Sequence, residues 1–136
     1  MDDATRGALT GSQLIDLTTT GRRSGERRRI EIYLHSVNGR LFISGSPIPG
    51  RTRAWIHNVA ADPHVVVHMK RTIVADVPAT ARVISDPTER RPLIEAAARR
   101  WGRTDIVFML EHSPLIELTV EGYPSASGEP VAQPLP

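Results

Sequence analysis

In several stretches of this chain apolar residues recur at alternate positions. In "LIDLTTT" (14–20) Ile15 and Leu17 share one parity, and the threonines that follow favour an extended backbone. "IEIYLHSV" (30–37) sets Ile30, Ile32 and Leu34 against Glu31, Tyr33 and His35, the clearest half-buried strand in the sequence. "NG" (38–39) leads into "RLFISGS" (40–46), a hairpin signal because both turn residues tolerate a positive φ. The first three strands therefore read as an antiparallel meander. "HVVVHMK" (64–70) is a strand with an almost continuous apolar run. "TIVADVPATARVIS" (72–85) reads as two strand segments bent or broken near Pro78, and "SPLIELTVEG" (113–122) as a final alternating strand.

Helical spacing interrupts this pattern twice. In "TRAWIHNVAA" (52–61) Trp55, Ile56, Val59 and Ala60 share a face, with Thr52 the expected N-cap and Asp62-Pro63 the stop. Asp86-Pro87-Thr88-Glu89 supplies an N-cap, a proline at N1 and a glutamate at N3. The helix it announces carries Leu93, Ile94, Ala97, Ala98 and Trp101 on one face and ends at Gly102. Pro92 is expected to kink it or delay its start. Residues 1–13 are small and polar, and read as a flexible segment, frayed or weakly helical. Residues 14–122 form the folded domain, and 123–136, with four prolines, read as a disordered tail. Antiparallel strands with few helices, and no βαβ alternation, give the α+β class, built on a small barrel or strongly curled sheet.

A length of 136 residues suits one domain with one hydrophobic core, and 4% aromatic content means that aliphatic side chains must fill it. There is no cysteine, which excludes disulfides, thiol nucleophiles and cysteine-ligated metals. The first residues show no basic start followed by an apolar run, so no signal peptide is expected and the cytoplasm is the expected compartment. No stretch approaches the ~18 consecutive apolar residues of a membrane span.

Charge changes the picture at one place. "TTTGRRSGERRR" (18–29) holds Arg22, Arg23, Arg27, Arg28 and Arg29 around a turn, and without them the formal charge of +2 would be −3. A total of +2 is a weak field for a polyanion, so nucleic-acid binding is not expected despite an isoelectric point near 9.7. Gly21 and Gly25 allow a tight turn and a close approach to a ligand, Ser24 adds a hydroxyl, and arginine forks hold phosphate or carboxylate bidentately. Residue chemistry alone leaves two readings, a seat for a small anion and a solvated hairpin end.

Other chemistries find less support. His35, His57, His64, His68 and His112 read as isolated histidines, hydrogen-bonded or exposed; His64 and His68, four apart on a strand, are about 13 Å from one another. No metal site is expected. There is no Gly-x-Ser-x-Gly elbow, no Gly-x-Gly-x-x-Gly and no Walker motif. Trp55 reads as a core anchor that can also wall a ring-binding pocket, within reach of Asn58 one turn on.

"LTTTGRRSGERRR" resembles the opening motif of the deazaflavin-dependent nitroreductase family, the F420-dependent split β-barrel oxidoreductases common in actinobacteria. "WIHNVAADPHVVVHM" is similar to that family's Trp-x-x-Asn-x-x-x-x-Pro-x-Val pattern, and the resemblance spans residues 14 to 122. It implies a six-stranded antiparallel split barrel with flanking helices, binding reduced F420, with FMN as the second choice of cofactor. By the same resemblance Arg22, Arg23, Ser24, Gly25 and Arg28 would hold the cofactor's phosphate and acidic tail. Ile30, Glu31, Ile32, Gly45 and Ser46 would line the deazaflavin through backbone groups, with Trp55 and Asn58 closing the side. It also implies a homodimer and a small hydrophobic acceptor: a quinone, a nitro compound or an activated enone.

The cofactor carries the hydride chemistry, but a donor is still wanted for charge developing on the acceptor. Ser46 is the candidate, with His112 as a proton donor, and Phe108 and Met109 are the candidate pocket wall. The sequence departs from the family at three places. Pro47 stands where many members have lysine, leaving Arg51 or Arg53 to substitute; Arg27 stands where relatives have proline; and "TDIVFMLEHS" lacks the family's pocket tyrosines. The competing functions are a non-catalytic split-barrel protein holding F420 or a lipid-like ligand, and an FMN-binding or non-redox member of the same fold.

Overall fold

The computed structural model describes residues 1–124. Its centre is a closed barrel of six strands: β1 (Gln13–Thr20), β2 (Arg27–Val37), β3 (Arg40–Ser44), β4 (His64–Lys70), β5 (Val74–Val83) and β6 (Leu115–Thr119). Around the barrel they run β1-β2-β3-β6-β5-β4, every neighbouring pair antiparallel. Four helices flank it: α1 (Asp3–Ala8), α2 (Ala54–Ala61), α3 (Pro87–Trp101) and α4 (Ile106–His112).

The alternation read in the sequence becomes the barrel interior. Ile15 and Leu17 of β1, Leu34 of β2, and Val65, Val67 and Met69 of β4 are buried together there. The β2–β3 hairpin turns at Asn38 (φ 52°) and Gly39 (φ 80°), the pair of positive φ values that a two-residue turn between twisted strands needs. β3 reads "LFI" without alternation because both its faces are covered. Leu41 and Ile43 point inward, while Phe42 packs under α3 with Ile84, Ile94 and Met109.

Glu117 shares that outer face and is 3% exposed. Arg40 Nε donates to it at 2.7 Å and Arg82 at 2.9 Å, and Arg82 also reaches Glu89 at 2.6 Å, which lashes the first turn of α3 to the barrel. Its burial is tolerable because both oxygens are paired with cations.

Four local expectations give way to tertiary context. The N-cap of α2 is Arg53 and not Thr52, and no side chain caps it. β5 runs unbroken through Pro78. Ala81 donates to Pro63 O on the β4 side, so Pro78, of opposite parity, turns its nitrogen to the other edge, where pairing with β6 begins only at Thr80. α3 starts at Pro87, capped by Asp86, and continues through Pro92, whose exposed ring costs one bond to a carbonyl in the first turn. The stretch 106–112, given no element in the sequence, is α4. The residues ahead of β1 hold the short α1, capped by Asp2, and Leu9 at its end is fully buried. Of the C-terminal segment, Tyr123 donates to Leu9 O at 3.2 Å, and residues 125–136 lie outside the described residues.

His35 is buried with neither ring nitrogen bonded among the described residues, stacked on Phe42 at 4.9 Å and edge-on to Trp101 at 5.1 Å. Burial, and secondly the Arg100 charge, lower its pKa from 6.5 to about 4. Between those values the unfolded chain takes up a proton that the folded chain refuses. Stability is therefore expected to fall by about 3 kcal/mol as pH drops from 6.5 to 4. Urea midpoints at several pH values should show this slope, and His35→Phe should flatten it by the same amount.

Candidate functional site

The arginine turn joins β1 to β2 and is closed by its own backbone. Gly21 N–H donates to Glu26 O at 2.7 Å, Gly25 N–H to Gly21 O at 2.9 Å, and Glu26 N–H to Ser24 Oγ at 3.1 Å. A Cβ on Gly21 would lie 2.9 Å from Ser24 Oγ and 3.1 Å from Glu26 O, so the turn closes this tightly only around glycine. α2 then fixes the turn from above. Asn58, 7% exposed, accepts from Arg22 N–H at 3.1 Å and donates through Nδ2 to Thr19 Oγ1 at 3.1 Å.

Between the turn and α2 lies a cleft of about 600 Å³, within the size range of small-molecule sites. Arg22, Arg23, Ser24 and Arg28 form one wall; Ile30, Trp55 and Asn58 contribute to the rest. Arg29 is spent on Asp16 at 2.9 Å, and Arg28 lies 3.5 Å from Glu26 with both side chains mostly exposed. Among the described residues Arg22, Arg23 and Arg27 meet no carboxylate. The cleft thus holds cationic forks in search of an anion beside the indole of Trp55. β3 pairs only with Leu34–Val37, so the Arg27–Tyr33 half of β2 has no strand on that side, and its backbone groups are open to a ligand. A planar ring carrying a polyanionic tail fits this donor set.

A second cleft, of about 450 Å³, opens against another face of α2, between the end of β5 and the α4–β6 junction. Arg53 Nη2 donates to Ser46 O at 2.5 Å, while its Nη1 is buried without a partner. Ser113 Oγ is buried and unpartnered as well. Arg90 donates to Ile84 O (2.8 Å), Leu110 O (2.9 Å) and Ser113 O (2.9 Å). Burial lowers the pKa of Arg90, and burial followed by the Arg51 charge lowers that of Arg53.

Of the residues singled out in the sequence, the structure gathers Arg22, Arg23, Ser24, Arg28, Ile30, Trp55 and Asn58 at the first cleft. Gly25, at φ 72°, shapes the turn without lining it. Glu31 points outward to Lys70, and Ile32 packs on the barrel core. Gly45 lies in neither cleft lining; a Cβ there would meet Pro114 at 3.1 Å and Arg53 at 3.3 Å. Ser46 is exposed, its carbonyl held by Arg53. Met109 is fully buried between α4 and the barrel, in the core and not in a pocket wall, whereas Phe108 is exposed and meets His112 edge-on at 4.8 Å. His112 lines the second cleft. Sequence reasoning missed Arg90 and Ser113 there, because only folding brings α3 and the α4–β6 junction together.

Elsewhere, His68 bridges Thr18 (2.6 Å) and Asp76 (2.7 Å) on the outer face of the barrel, and His64 meets Asp62. Among the described residues no group of three or more His, Asp or Glu side chains is arranged to hold a metal, and no helix is long and apolar enough to cross a membrane.

The family model described as F420H(2)-dependent quinone reductase matches residues 2–106. Among solved structures, an F420-H2 dependent reductase, FDR-A, is 22% identical with a TM-score of 0.61, covering 78% of this chain and 93% of its own. A structure described as a domain-swapped dimer is also 22% identical, at a TM-score of 0.60 over 78% of this chain and 79% of its own. A FAD-binding protein from Mesorhizobium loti is 12% identical, at 0.57 over 89% and 91%. No curated protein sequence matches the chain.

Proposed function

We infer that this chain, which belongs to the F420H(2)-dependent quinone reductase family, reduces a small hydrophobic acceptor: a quinone, a nitro compound or an activated enone. Family membership makes F420 the cofactor and the protein an F420-dependent reductase; the acceptor and the residue roles are the proposal. The observation that carries it is the cleft in which the unpaired arginines of the β1–β2 turn face Trp55.

Reduced F420, when bound, supplies the hydride. The chain's own residues do the rest. Arg22, Arg23 and Arg28, with the Ser24 hydroxyl, bind the phosphate and acidic tail through charge-assisted hydrogen bonds. Asn58 orients these donors by holding the Arg22 backbone and Thr19 at once. Trp55 and Ile30 keep water from one side of the ring. The open edge of β2 supplies backbone partners from Ile30 to Ile32, whereas Gly45 and Ser46 stand beyond the lining of this cleft. The Ser46 hydroxyl stabilises charge on the acceptor, and His112 hands over the proton that balances the hydride. Phe108, exposed beside His112, gives the acceptor an apolar surface. Pairing as a homodimer is part of this reading and is supported by the domain-swapped structural relative.

The test is a titration of the purified protein with oxidised and reduced F420, and in parallel FMN, followed by tryptophan fluorescence. Trp55 and Trp101 are the two tryptophans, so Trp101→Phe isolates the reporter at the cleft. Saturable quenching by F420 and not by FMN, followed by faster F420H2 oxidation with a naphthoquinone than without, is the expected result. Quenching by FMN alone would make this a flavin protein. F420 binding with no acceptor-dependent oxidation across quinones, nitro compounds and enones would leave a carrier.

A further inference from the structure

We propose that the second cleft is a carboxylate seat, and that the acceptor reduced by this protein is an organic acid with an apolar body. The inference rests on the reductase reading and narrows its substrate class.

Three features carry it. First, the cleft contains buried donors with no acceptor. Ser113 is 5% exposed and its Oγ has no partner among the described residues, and Arg53 Nη1 is likewise buried and unbonded among them. Such groups are costly while unsatisfied, so a ligand toward which both turn recovers that cost. Second, the charge is one-sided. Arg51, Arg53 and Arg90 all line the cleft, and among the described residues none of them meets a carboxylate. Arg90 is bonded only to carbonyls, so its full charge remains. Glu111, the acidic residue of the lining, is exposed at the rim. Third, the remaining wall is aliphatic. Ile48, Ile56, Val83 and Leu110 offer a slot for a hydrocarbon or aryl body beneath the charged end.

The place of the cleft assigns the occupant. In the proposed reading the phosphate and acidic tail of the cofactor are held by the arginines of the β1–β2 turn, against another face of α2. The second cleft instead adjoins His112, the group proposed to deliver the proton. An acid anchored by Arg53 and Ser113 would hold its reducible end at a set distance from that imidazole. A neutral acceptor would leave the donors unmatched and so bind more weakly than an acid with the same body.

The test is a two-dimensional NMR titration of the cofactor-free protein with 4-nitrobenzoate and, in parallel, nitrobenzene, its neutral counterpart. Saturable amide shifts from the carboxylate at residues 51–53 and 112–115, with nitrobenzene at least tenfold weaker, are expected. Arg53→Gln should weaken 4-nitrobenzoate by at least tenfold and Ser113→Ala by about threefold, with well-dispersed spectra showing that both variants are folded. Equal binding of nitrobenzene would overturn the proposal, as would shifts confined to residues 22–29. A third arm adds F420 and the deazaflavin lacking its phosphate and acidic tail. If only the tailed form displaces 4-nitrobenzoate, the cleft belongs to the cofactor and the acceptor assignment falls. F420 binding is read independently by Trp55 fluorescence, so failure of the carboxylate seat and failure of the reductase reading give different results.

Discussion

The double variant Arg23→Ala, Arg28→Ala is expected to bind F420 at least 100-fold more weakly than the parent while remaining folded and nearly as stable. A hydrogen bond between a charged fork and an anion contributes roughly 1.5–3 kcal/mol, so losing two corresponds to about a hundredfold or more in affinity. Stability should change by less than about 1 kcal/mol, since exposed ion pairs contribute little. Arg23 meets no carboxylate among the described residues, and Arg28 has only Glu26 at 3.5 Å, both side chains largely exposed. Fluorescence titration and thermal melts on the same samples check both halves. Arg28→Lys adds a finer distinction: it keeps the charge and loses the planar fork, so it should fall between parent and double variant. Undiminished affinity in the double variant would mean that the turn is a solvated hairpin end and that the cofactor is held elsewhere.

Arg90→Leu is expected to cost about 3–4 kcal/mol of stability. Its guanidinium gathers the carbonyls of Ile84, Leu110 and Ser113 and so ties the end of β5, α4 and the approach to β6 to α3. Leucine fills much of the same space but leaves those part-buried carbonyls without this donor, and each loss counts at roughly 1–3 kcal/mol. Removal of a partly buried cation returns some of this, which is why the sum is not reached. Arg90→Lys should recover only a part, because one ammonium cannot span carbonyls contributed by three segments. Urea unfolding of the three proteins measures the differences. Hydrogen exchange should localise the loosening to α4 and the first residues of β6. A lysine variant as stable as the parent would show that charge alone matters there and not the fork.

Both predictions concern arginines, yet they were not equally visible beforehand. Arg23 and Arg28 stand in a compact motif, where the glycine spacing and the excess of charge already raised an anion seat as one of two readings. Arg90 stands on a helix among other arginines, and nothing in its neighbourhood separates it from Arg91, whose partner is Glu95 one turn away. The difference arises from what folding places opposite each side chain. The same holds for His35, whose strand parity put it on the outer face beside Glu31 and Tyr33. α3 covers that face near its C-terminal end, so an outward histidine becomes a buried one against Phe42 and Trp101. Pro78 gives the reverse case. A proline that reads as a strand break is harmless where its nitrogen faces an edge that no neighbouring strand occupies.

What the sequence determined by itself is the part of this protein governed by local physics. Alternation set β1, β2 and β6, because a half-buried strand must place its apolar residues at a period of two. Asn38-Gly39 set the first hairpin, and Asp86-Pro87 the start of α3, because caps and turns are satisfied within a few residues. The arginine turn raised the anion-seat reading for the same reason: its chemistry is contiguous. Tertiary structure alone decided which residues share a cleft. Asn58 meets Arg22 across 36 positions of sequence, and Arg53 and Ser113 come to line one cavity from opposite halves of the chain. Such meetings depend on barrel closure and on where α3 and α4 pack, which no local pattern encodes. The proposed seat for the cofactor was therefore legible in the chain, while the second cleft exists only in the fold.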